Sequence, residues 1–202
     1  MILSDKKLQV GDILITSQRN FVSHCGIVAK YSPPTDEKRF TNIGIIHATT
    51  GGMQEDDPVK WTHVRGSTDV FRYDWESSPF QSRKMKEKLT NVAYGLKQRC
   101  SYSKTRAFIK SWTGTSSYGP NAAERLSKYT FRYNNPNITT IANLYCSEFV
   151  ILCYQIASME GDTINSSSKY FINLDGKHSL PKDLRNWLLN RQGFWSMAGT
   201  LD

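Results

Sequence analysis

One cysteine lies where a protein can activate a nucleophile. Cys146 begins the most apolar helix that the sequence predicts, over residues 146–157. The first N–H groups of a helix lack partners within it, and the helix dipole is positive there, so a thiol at that position loses its proton more easily. The same N–H groups can hold an oxyanion. Cys146 is therefore our candidate nucleophile; the alternative is a buried, inert cysteine.

A thiol nucleophile needs a base within hydrogen-bonding reach, and the chain has four histidines. His24 stands at the start of a predicted strand within residues 22–31, and His47 stands near the end of the next, over 43–48. If these strands pair antiparallel, the two imidazoles become neighbours on one face. We predict His24 as the base and His47 as the group that orients it. The alternative for either residue is a structural strand histidine.

Three competing assignments involve residues close to these positions. Cys25 is a second thiol beside His24, but it lies within a strand, without a helix N-terminus to stabilise a thiolate, so it ranks below Cys146. His24, Cys25 and His47 could belong to a zinc site, although a fourth ligand at suitable spacing is missing. Glu148 could orient the base, but it follows Cys146 by two positions on the helix and should point elsewhere.

The pattern of apolar residues changes along the chain from strands to helices. Strands are predicted at 13–16, within 22–31, and at 43–48, 59–64 and 69–73, and helices at 82–100, 105–112, 121–129, 146–157 and 181–189. We expect the early strands to form a sequential antiparallel sheet, and we interpret the acidic run 55–57 as a solvated turn. Strands followed by helices indicate an α+β fold in a single domain, 1–202, with a loop-rich insertion near 101–141.

Composition limits the classes of partner. The chain has 202 residues, of which 39% are hydrophobic, enough for a packed core, and its formal net charge is +8. A basic surface favours anionic partners. The charge is spread along the chain, and no zinc-finger spacing or RNA-binding signature occurs, so we expect no nucleic-acid partner. The four cysteines are irregularly spaced, which favours free thiols in a reducing compartment.

The N-terminal residues and the hydropathy pattern bear on location. Residues 1–10 are polar and carry no secretory signal, and no stretch is long and apolar enough for a transmembrane segment. We therefore expect a soluble protein that either stays in the cytoplasm or is secreted by a dedicated system that needs no cleaved signal.

Four segments, taken in order, resemble a known superfamily. They are Gly-Asp-Ile-Leu at 11–14, Ser-His-Cys-Gly-Ile-Val at 23–28, Ile-Ile-His-Ala at 45–48 and Tyr-Cys-Ser-Glu-Phe-Val at 145–150. The set is similar to the circularly permuted NlpC-like papain superfamily, which includes YiiX-like proteins and relatives of lecithin:retinol acyltransferase. Residues 70–73 and 180–184 also look like family segments. Cys25 departs from the family, which usually has an apolar or aromatic residue there, and 101–141 does not map onto it.

The resemblance implies a permuted papain-like fold in which an antiparallel sheet packs against a buried helix that carries the nucleophile. It implies that Cys146 is the nucleophile, that His24 is the base and that His47 completes the triad, with no metal or cofactor. The expected activity is amide hydrolysis through a thioester, with peptidoglycan peptide as the leading substrate.

A basic protein suits an anionic cell wall, and such a hydrolase could be a delivered antibacterial effector with an inhibitor or immunity protein as partner. The alternatives are a lipid acyltransferase, phospholipase or thioesterase of the same superfamily, and a non-catalytic binding module.

Overall fold

The structure, a computed structural model, describes residues 2, 7–16, 23–30, 43–74, 79–102, 115–191 and 193–202. The helix predicted at 105–112 and parts of the strand predicted within 22–31 lie outside these ranges. Everything stated below concerns the described residues.

A six-stranded antiparallel sheet forms the centre of the fold. Its strands are β1 (Ile13–Thr16), β2 (Cys25–Lys30), β3 (Ile43–Thr49), β4 (Gly52–Asp56), β5 (Thr68–Tyr73) and β8 (Trp195–Leu201). Their order across the sheet is β4-β3-β2-β1-β5-β8. The antiparallel sheet predicted from the sequence is therefore confirmed, but β5 pairs with β1 instead of following β4 at the edge.

Among the described residues, five α-helices and a small second sheet complete the α+β fold. The helices are α1 (Pro58–Arg65), α2 (Pro79–Arg99), α3 (Pro120–Asn134), α4 (Cys146–Ala157) and α5 (Pro181–Leu189), with a 3-10 turn at Gly176–His178. Strands β6 (Cys100–Tyr102) and β7 (Ala142–Leu144) pair in parallel just before α4.

Each face of the sheet is covered by different helices. Helices α2 and α4 pack on one face, and every residue of α4 is buried. Side chains that alternate along the strands, such as Ile27 and Ile46, point into that larger core. Val28 and Ile45 point to the opposite face, where they pack with Trp61 of α1. The helix that carries Cys146 is thus held between the sheet and neighbouring helices.

A buried ion pair fixes the start of β1. The Asp12 carboxylate is fully buried and accepts hydrogen bonds from Arg72 Nε at 2.8 Å and Arg72 Nη2 at 2.7 Å. Burial raises the pKa of Asp12, and the bonds from Arg72 oppose this effect. The hydroxyl of Tyr154 on α4 donates to the carbonyl of Gly11, so the same turn anchors α4.

One predicted strand is wrong. The β-branched Val59, Thr62 and Val64 favour a strand over residues 59–64, but these residues belong to α1. The helix begins because Asp57 caps it, accepting from the N–H of Lys60 at 2.8 Å, and because Pro58 occupies its first turn. Pro58 and Trp61, three positions apart, share its buried face, and Val59 and Val64 are exposed.

Of the loop-rich insertion predicted near 101–141, the structure describes residues 101–102 and 115–141. The helix predicted at 121–129 is confirmed and extends over Pro120–Asn134, and Cys100–Tyr102 forms a strand. The helix predicted at 82–100 is observed as Pro79–Arg99. The C-terminal strand Trp195–Leu201 was not predicted; it pairs with β5 at the sheet edge. Within the described ranges, no helix has the length and apolar content needed to cross a bilayer.

We predict that Arg72→Ala lowers the free energy of unfolding by about 3 kcal/mol, because it leaves the buried Asp12 carboxylate without its partner. The matched control is Arg83→Ala, which removes an arginine from an exposed pair with Glu87 and should cost below about 1 kcal/mol. Urea denaturation of both variants measures the difference. Equal losses would show that the buried pair does not anchor this end of the sheet.

Candidate active site

His24 lies just before the first residue of β2, and its backbone is fixed by β1. The N–H of Thr16 donates to the His24 carbonyl at 2.8 Å, and the N–H of His24 donates to Thr16 Oγ1 at 2.9 Å. Both residues are buried. His24 therefore projects from the end of a strand, a position from which a side chain can reach groups on both faces of the sheet.

His47 meets His24 as the antiparallel pairing predicts. Strands β2 and β3 pair with Ile27 opposite Ile46, so one position further along Gly26 lies opposite His47 and His24 lies diagonal to it on the same face. His24 Nε2 and His47 Nδ1 are 2.9 Å apart, a hydrogen bond between buried rings. The structure thus brings the two early histidines together.

Asp56 extends this contact by one more residue. Its Oδ2 lies 2.9 Å from His47 Nε2, and its Oδ1 lies 2.5 Å from Lys60 Nζ. The Asp56 side chain is 2% exposed. The interpretation of 55–57 as a solvated turn is therefore wrong for Asp56. It also fails for Glu55, whose carboxylate binds Lys97 at 2.5 Å.

Burial and nearby charges fix the positions of the protons in the hydrogen bonds that join Asp56, His47 and His24. Burial lowers the pKa of His47 to about 4, the His24 charge adds to that effect, and Asp56 opposes it, so His47 is neutral near pH 7. Burial would raise the pKa of Asp56, but Lys60 and His47 lower it below its usual value, so Asp56 is ionised. A carboxylate only accepts hydrogen bonds. His47 must then carry its proton on Nε2, and its Nδ1 accepts from Nε2–H of His24.

This arrangement leaves one ring nitrogen of His24 for chemistry. Since His24 Nε2 donates to His47, its Nδ1 carries the lone pair in the neutral ring. That atom is the one available to take a proton from Cys146.

Trp61 covers both imidazoles. Its ring centroid lies 5.6 Å from that of His24 and 5.1 Å from that of His47, edge-on to the latter. The indole Nε1–H donates to Thr68 Oγ1 at 3.1 Å, which fixes the ring. A Cβ added to Gly26 would lie 2.9 Å from Ile45 Cγ2 and 3.1 Å from the indole, so the close packing of Ile45 and Trp61 around this position favours glycine. The indole keeps water from the bond between the histidines and so strengthens it.

Cys146 is the first residue of α4, as predicted. Tyr145 precedes it as the N-cap and makes no side-chain capping bond, so the first-turn N–H groups are not occupied by a cap. The hydroxyl of Ser147 donates to the carbonyl of Ser179 at 2.6 Å, and that of Tyr145 donates to the carbonyl of Gly176 at 2.5 Å. These bonds hold the helix start in place. Cys146 itself is 7% exposed.

The surroundings of Cys146 favour its thiolate. A hydrogen bond from the Cys25 side chain is the largest effect and lowers the pKa of Cys146, burial opposes it, and the hydrogen bond and charge of His24 lower it further. A backbone hydrogen bond from Cys25 adds to the lowering of the Cys146 pKa. The net pKa lies well below that of an ordinary thiol. His24 thus joins the sulfur to His47, and the three predicted residues lie in one site.

The surroundings of Cys25, unlike those of Cys146, favour the protonated thiol. It is fully buried on the face that packs against α4, and burial together with the neighbouring Cys146 raises its pKa well above that of an ordinary thiol. Its protonated state supports ranking it below Cys146 as nucleophile. Strand alternation turns Cys25 away from His47, which does not fit the zinc alternative, and no cluster of three or more metal-binding side chains occurs among the described residues.

Glu148 does not replace His47. Its carboxylate accepts from the hydroxyl of Tyr129 at 3.2 Å and lines a cavity between α3 and α4, together with Arg125 and Asp175. Cys146 is not among the residues that line this cavity. Glu148 therefore faces away from the thiol, as its position on the helix predicts.

Three residues near the site were missed from the sequence. Asp56 and Trp61 are described above; the third is Tyr102 of β6, whose pKa is raised by burial and by the charge of Cys146. A signal for Asp56 was present: a two-residue turn at Thr50-Gly51 pairs His47 with Gln54, and residue 56 then falls diagonal to His47 on one face of the hairpin. Trp61 lies on α1, whereas the sequence predicts a strand for its segment.

Comparison with known proteins adds no family to this description. No model of a known protein family matches the chain, and a search of curated proteins finds no match.

We predict that Asp56→Asn slows the alkylation of Cys146 by iodoacetamide at pH 6.5 about tenfold or more. Lys60 would draw the new amide oxygen toward itself, so the amide N–H₂ would donate to His47 Nε2. His47 would then donate to His24 Nε2, and the His24 proton would move to Nδ1, where the ring can no longer accept from the thiol. Labelling rates followed by mass spectrometry measure the effect.

The control is Asp57→Asn, which makes the same change at the exposed neighbouring residue and keeps a side chain that caps α1. Its labelling rate should match that of the unmodified protein. If both variants label alike, Asp56 does not set the state of the histidines.

Proposed function

We propose that the chain is a cysteine-nucleophile hydrolase that cleaves an acyl bond through a thioester intermediate. Cys146 is the nucleophile, His24 is the base, and His47 and Asp56 orient and polarise that base. The observation that supports this proposal most directly is the unbroken hydrogen-bond chain from Asp56 through His47 to His24, next to a thiol whose pKa is lowered. An inert core cysteine would not require a histidine oriented by such a series of hydrogen bonds.

In the first step the proton of Cys146 passes to His24 Nδ1, or the two already exist as thiolate and imidazolium. The sulfur attacks the carbonyl carbon of the substrate, and the carbonyl electrons move to oxygen. The first-turn N–H groups of α4, beginning with that of Cys146, donate to this oxyanion. His24 then gives its proton to the leaving nitrogen, and the thioester remains.

In the second step water replaces the leaving group. Water attacks the thioester while His24 takes a proton from it. The bond between the carbonyl carbon and the Cys146 sulfur then breaks, and the carboxylic acid is released. His47 remains neutral throughout because its pKa is about 4, so it supports His24 by accepting a hydrogen bond and does not compete for the proton. Asp56 stabilises, through the neutral His47, the positive charge that develops on His24.

The leading substrate is an amide, specifically a peptide of bacterial peptidoglycan. The net charge of +8 supports an anionic polymer as the partner, since long-range attraction raises the local substrate concentration. An antibacterial effector of this kind would meet an inhibitor or immunity protein in the cell that makes it. Hydrolysis of a lipid ester or transfer of its acyl group is the competing outcome of the test below.

The fold also supports this proposal. A permuted papain-like enzyme places its base on an early strand of an antiparallel sheet and its nucleophile on a later buried helix. The described fold has His24 and His47 at β2 and β3 and Cys146 at the start of α4, in that order. We therefore propose the permuted papain-like arrangement for this domain.

We predict that Cys146→Ala abolishes turnover and leaves the fold intact, because the removed sulfur forms the covalent intermediate. The protein is incubated with purified peptidoglycan and, separately, with phospholipid vesicles, and the products are identified by mass. New amine and carboxyl termini in peptidoglycan peptides are the expected products. Circular dichroism checks the fold of the variant.

The matched control is Cys100→Ala, which removes a half-buried thiol whose pKa burial raises to about 12. Its turnover should equal that of the unmodified protein. Full activity of Cys146→Ala would refute the assignment of the nucleophile. Products from lipid alone would keep the cysteine mechanism and replace the substrate. No products from either substrate, with slow labelling of Cys146, would favour a binding module.

A further inference from the structure

A second thiol, that of Cys25, contacts the candidate nucleophile Cys146. The proposed hydrolysis assigns no role to this second thiol. Cys25 is the first residue of β2, pairs with Ile15 of β1 and is fully buried in the core that β2 shares with α4. Cys25 and Cys146 lie in the same buried cluster, where α4 packs on β2, and the side chain and backbone N–H of Cys25 both hydrogen-bond to the sulfur of Cys146. The two sulfurs are therefore neighbours in the folded chain, brought together from positions on β2 and α4.

We propose that Cys25 is the resolving cysteine of a reversible, peroxide-sensitive switch that closes a Cys25–Cys146 disulfide. The disulfide would remove the nucleophile and stop turnover until a thiol reductant opens it. The consequence for activity rests on the proposed function, whereas the thiol chemistry does not.

The oxidation proceeds in two steps that balance. The Cys146 thiolate attacks one oxygen of a hydroperoxide; an S–O bond forms, the O–O bond breaks, and hydroxide or the corresponding alkoxide leaves, so Cys146 becomes a sulfenic acid. The Cys25 sulfur then attacks the Cys146 sulfur; an S–S bond forms, the S–O bond breaks, and the Cys25 proton leaves with the hydroxide as water. A dithiol reductant reverses the change by thiol–disulfide exchange and is itself oxidised.

The roles of the two cysteines follow from their surroundings. Cys146 is a thiolate and retains some exposure, so it meets a small oxidant first. Cys25 is fully buried and protonated, so it reacts with the oxidised Cys146 and not with the oxidant.

The remaining cysteines are poor alternatives as resolving thiols. Cys153 lies two turns beyond Cys146 on α4, about 10 Å along the axis, which is too far for a disulfide. Cys100 is half-buried, and burial raises its pKa to about 12. Cys25 is the thiol in contact with the nucleophile.

The experiment treats the intact protein with a small excess of hydrogen peroxide and follows its mass. Loss of two hydrogen atoms, a Cys25–Cys146 link in the peptide map and full recovery of Cys146 alkylation after dithiothreitol are expected. Cys25→Ser keeps a hydrogen-bond donor beside Cys146 but cannot resolve the sulfenic acid. In that variant Cys146 should add two oxygen atoms as the sulfinic acid, and dithiothreitol should not restore alkylation. The control Cys100→Ser should behave as the unmodified protein does.

Each outcome decides the proposal. A disulfide elsewhere, or irreversible oxidation of Cys146 at the same rate with and without Cys25, would overturn it. If Cys25→Ser fails to fold, the peptide map and the reversibility of the unmodified protein still decide. Disulfide formation in a protein that hydrolyses no acyl substrate would refute the proposed function alone; hydrolysis without the disulfide would refute the switch alone.

Discussion

The site depends on a neutral imidazole held between a carboxylate and a second imidazole, away from water. His47 is fully buried, with Asp56 at 2.9 Å on one nitrogen and His24 at 2.9 Å on the other. Because burial penalises its charged form, His47 keeps a single proton, and the ionised Asp56 fixes that proton on Nε2. The tautomer of His24 is therefore set by a carboxylate that His24 does not contact. Lys60 fixes the far end of the chain by holding the other oxygen of Asp56.

The fold maintains this arrangement by using both faces of the sheet. The histidines and Trp61 lie on the face covered by α1, whereas Cys146 lies on the face covered by α2 and α4. Because His24 precedes β2 at the end of the strand, its side chain can join the two faces. Thr16 fixes the backbone of His24. Hydrogen bonds from α4 to the carbonyl of Gly11, just before β1, and to the carbonyl of Ser179 fix the position of the Cys146 sulfur. Movement of either layer would separate the Cys146 thiol from His24.

The parts of the site that follow from short-range rules could be predicted from sequence. The apolar run after Cys146 predicts a buried helix with the thiol at its start, and antiparallel pairing of two consecutive strands predicts that His24 and His47 meet. Asp56 was missed because an acidic run next to a turn is usually solvated; its burial depends on the register of the hairpin. The helix that carries Trp61 was missed because its β-branched residues favour a strand, and the Asp57-Pro58 start outweighs them. The contact between Cys25 and Cys146 depends on which face of the sheet receives α4, which no local pattern encodes.

The most direct test of this account is the tautomer of His47. Ring nitrogen chemical shifts of the ¹⁵N-histidine-labelled protein, assigned with a His47→Gln variant, report which nitrogen carries the proton. We expect a neutral His47 with its proton on Nε2, unchanged from pH 8 down to about 5, because its pKa is about 4. A proton on Nδ1, or a charged His47 at neutral pH, would contradict it, since His24 Nε2 could then no longer donate to His47 as the proposed mechanism requires.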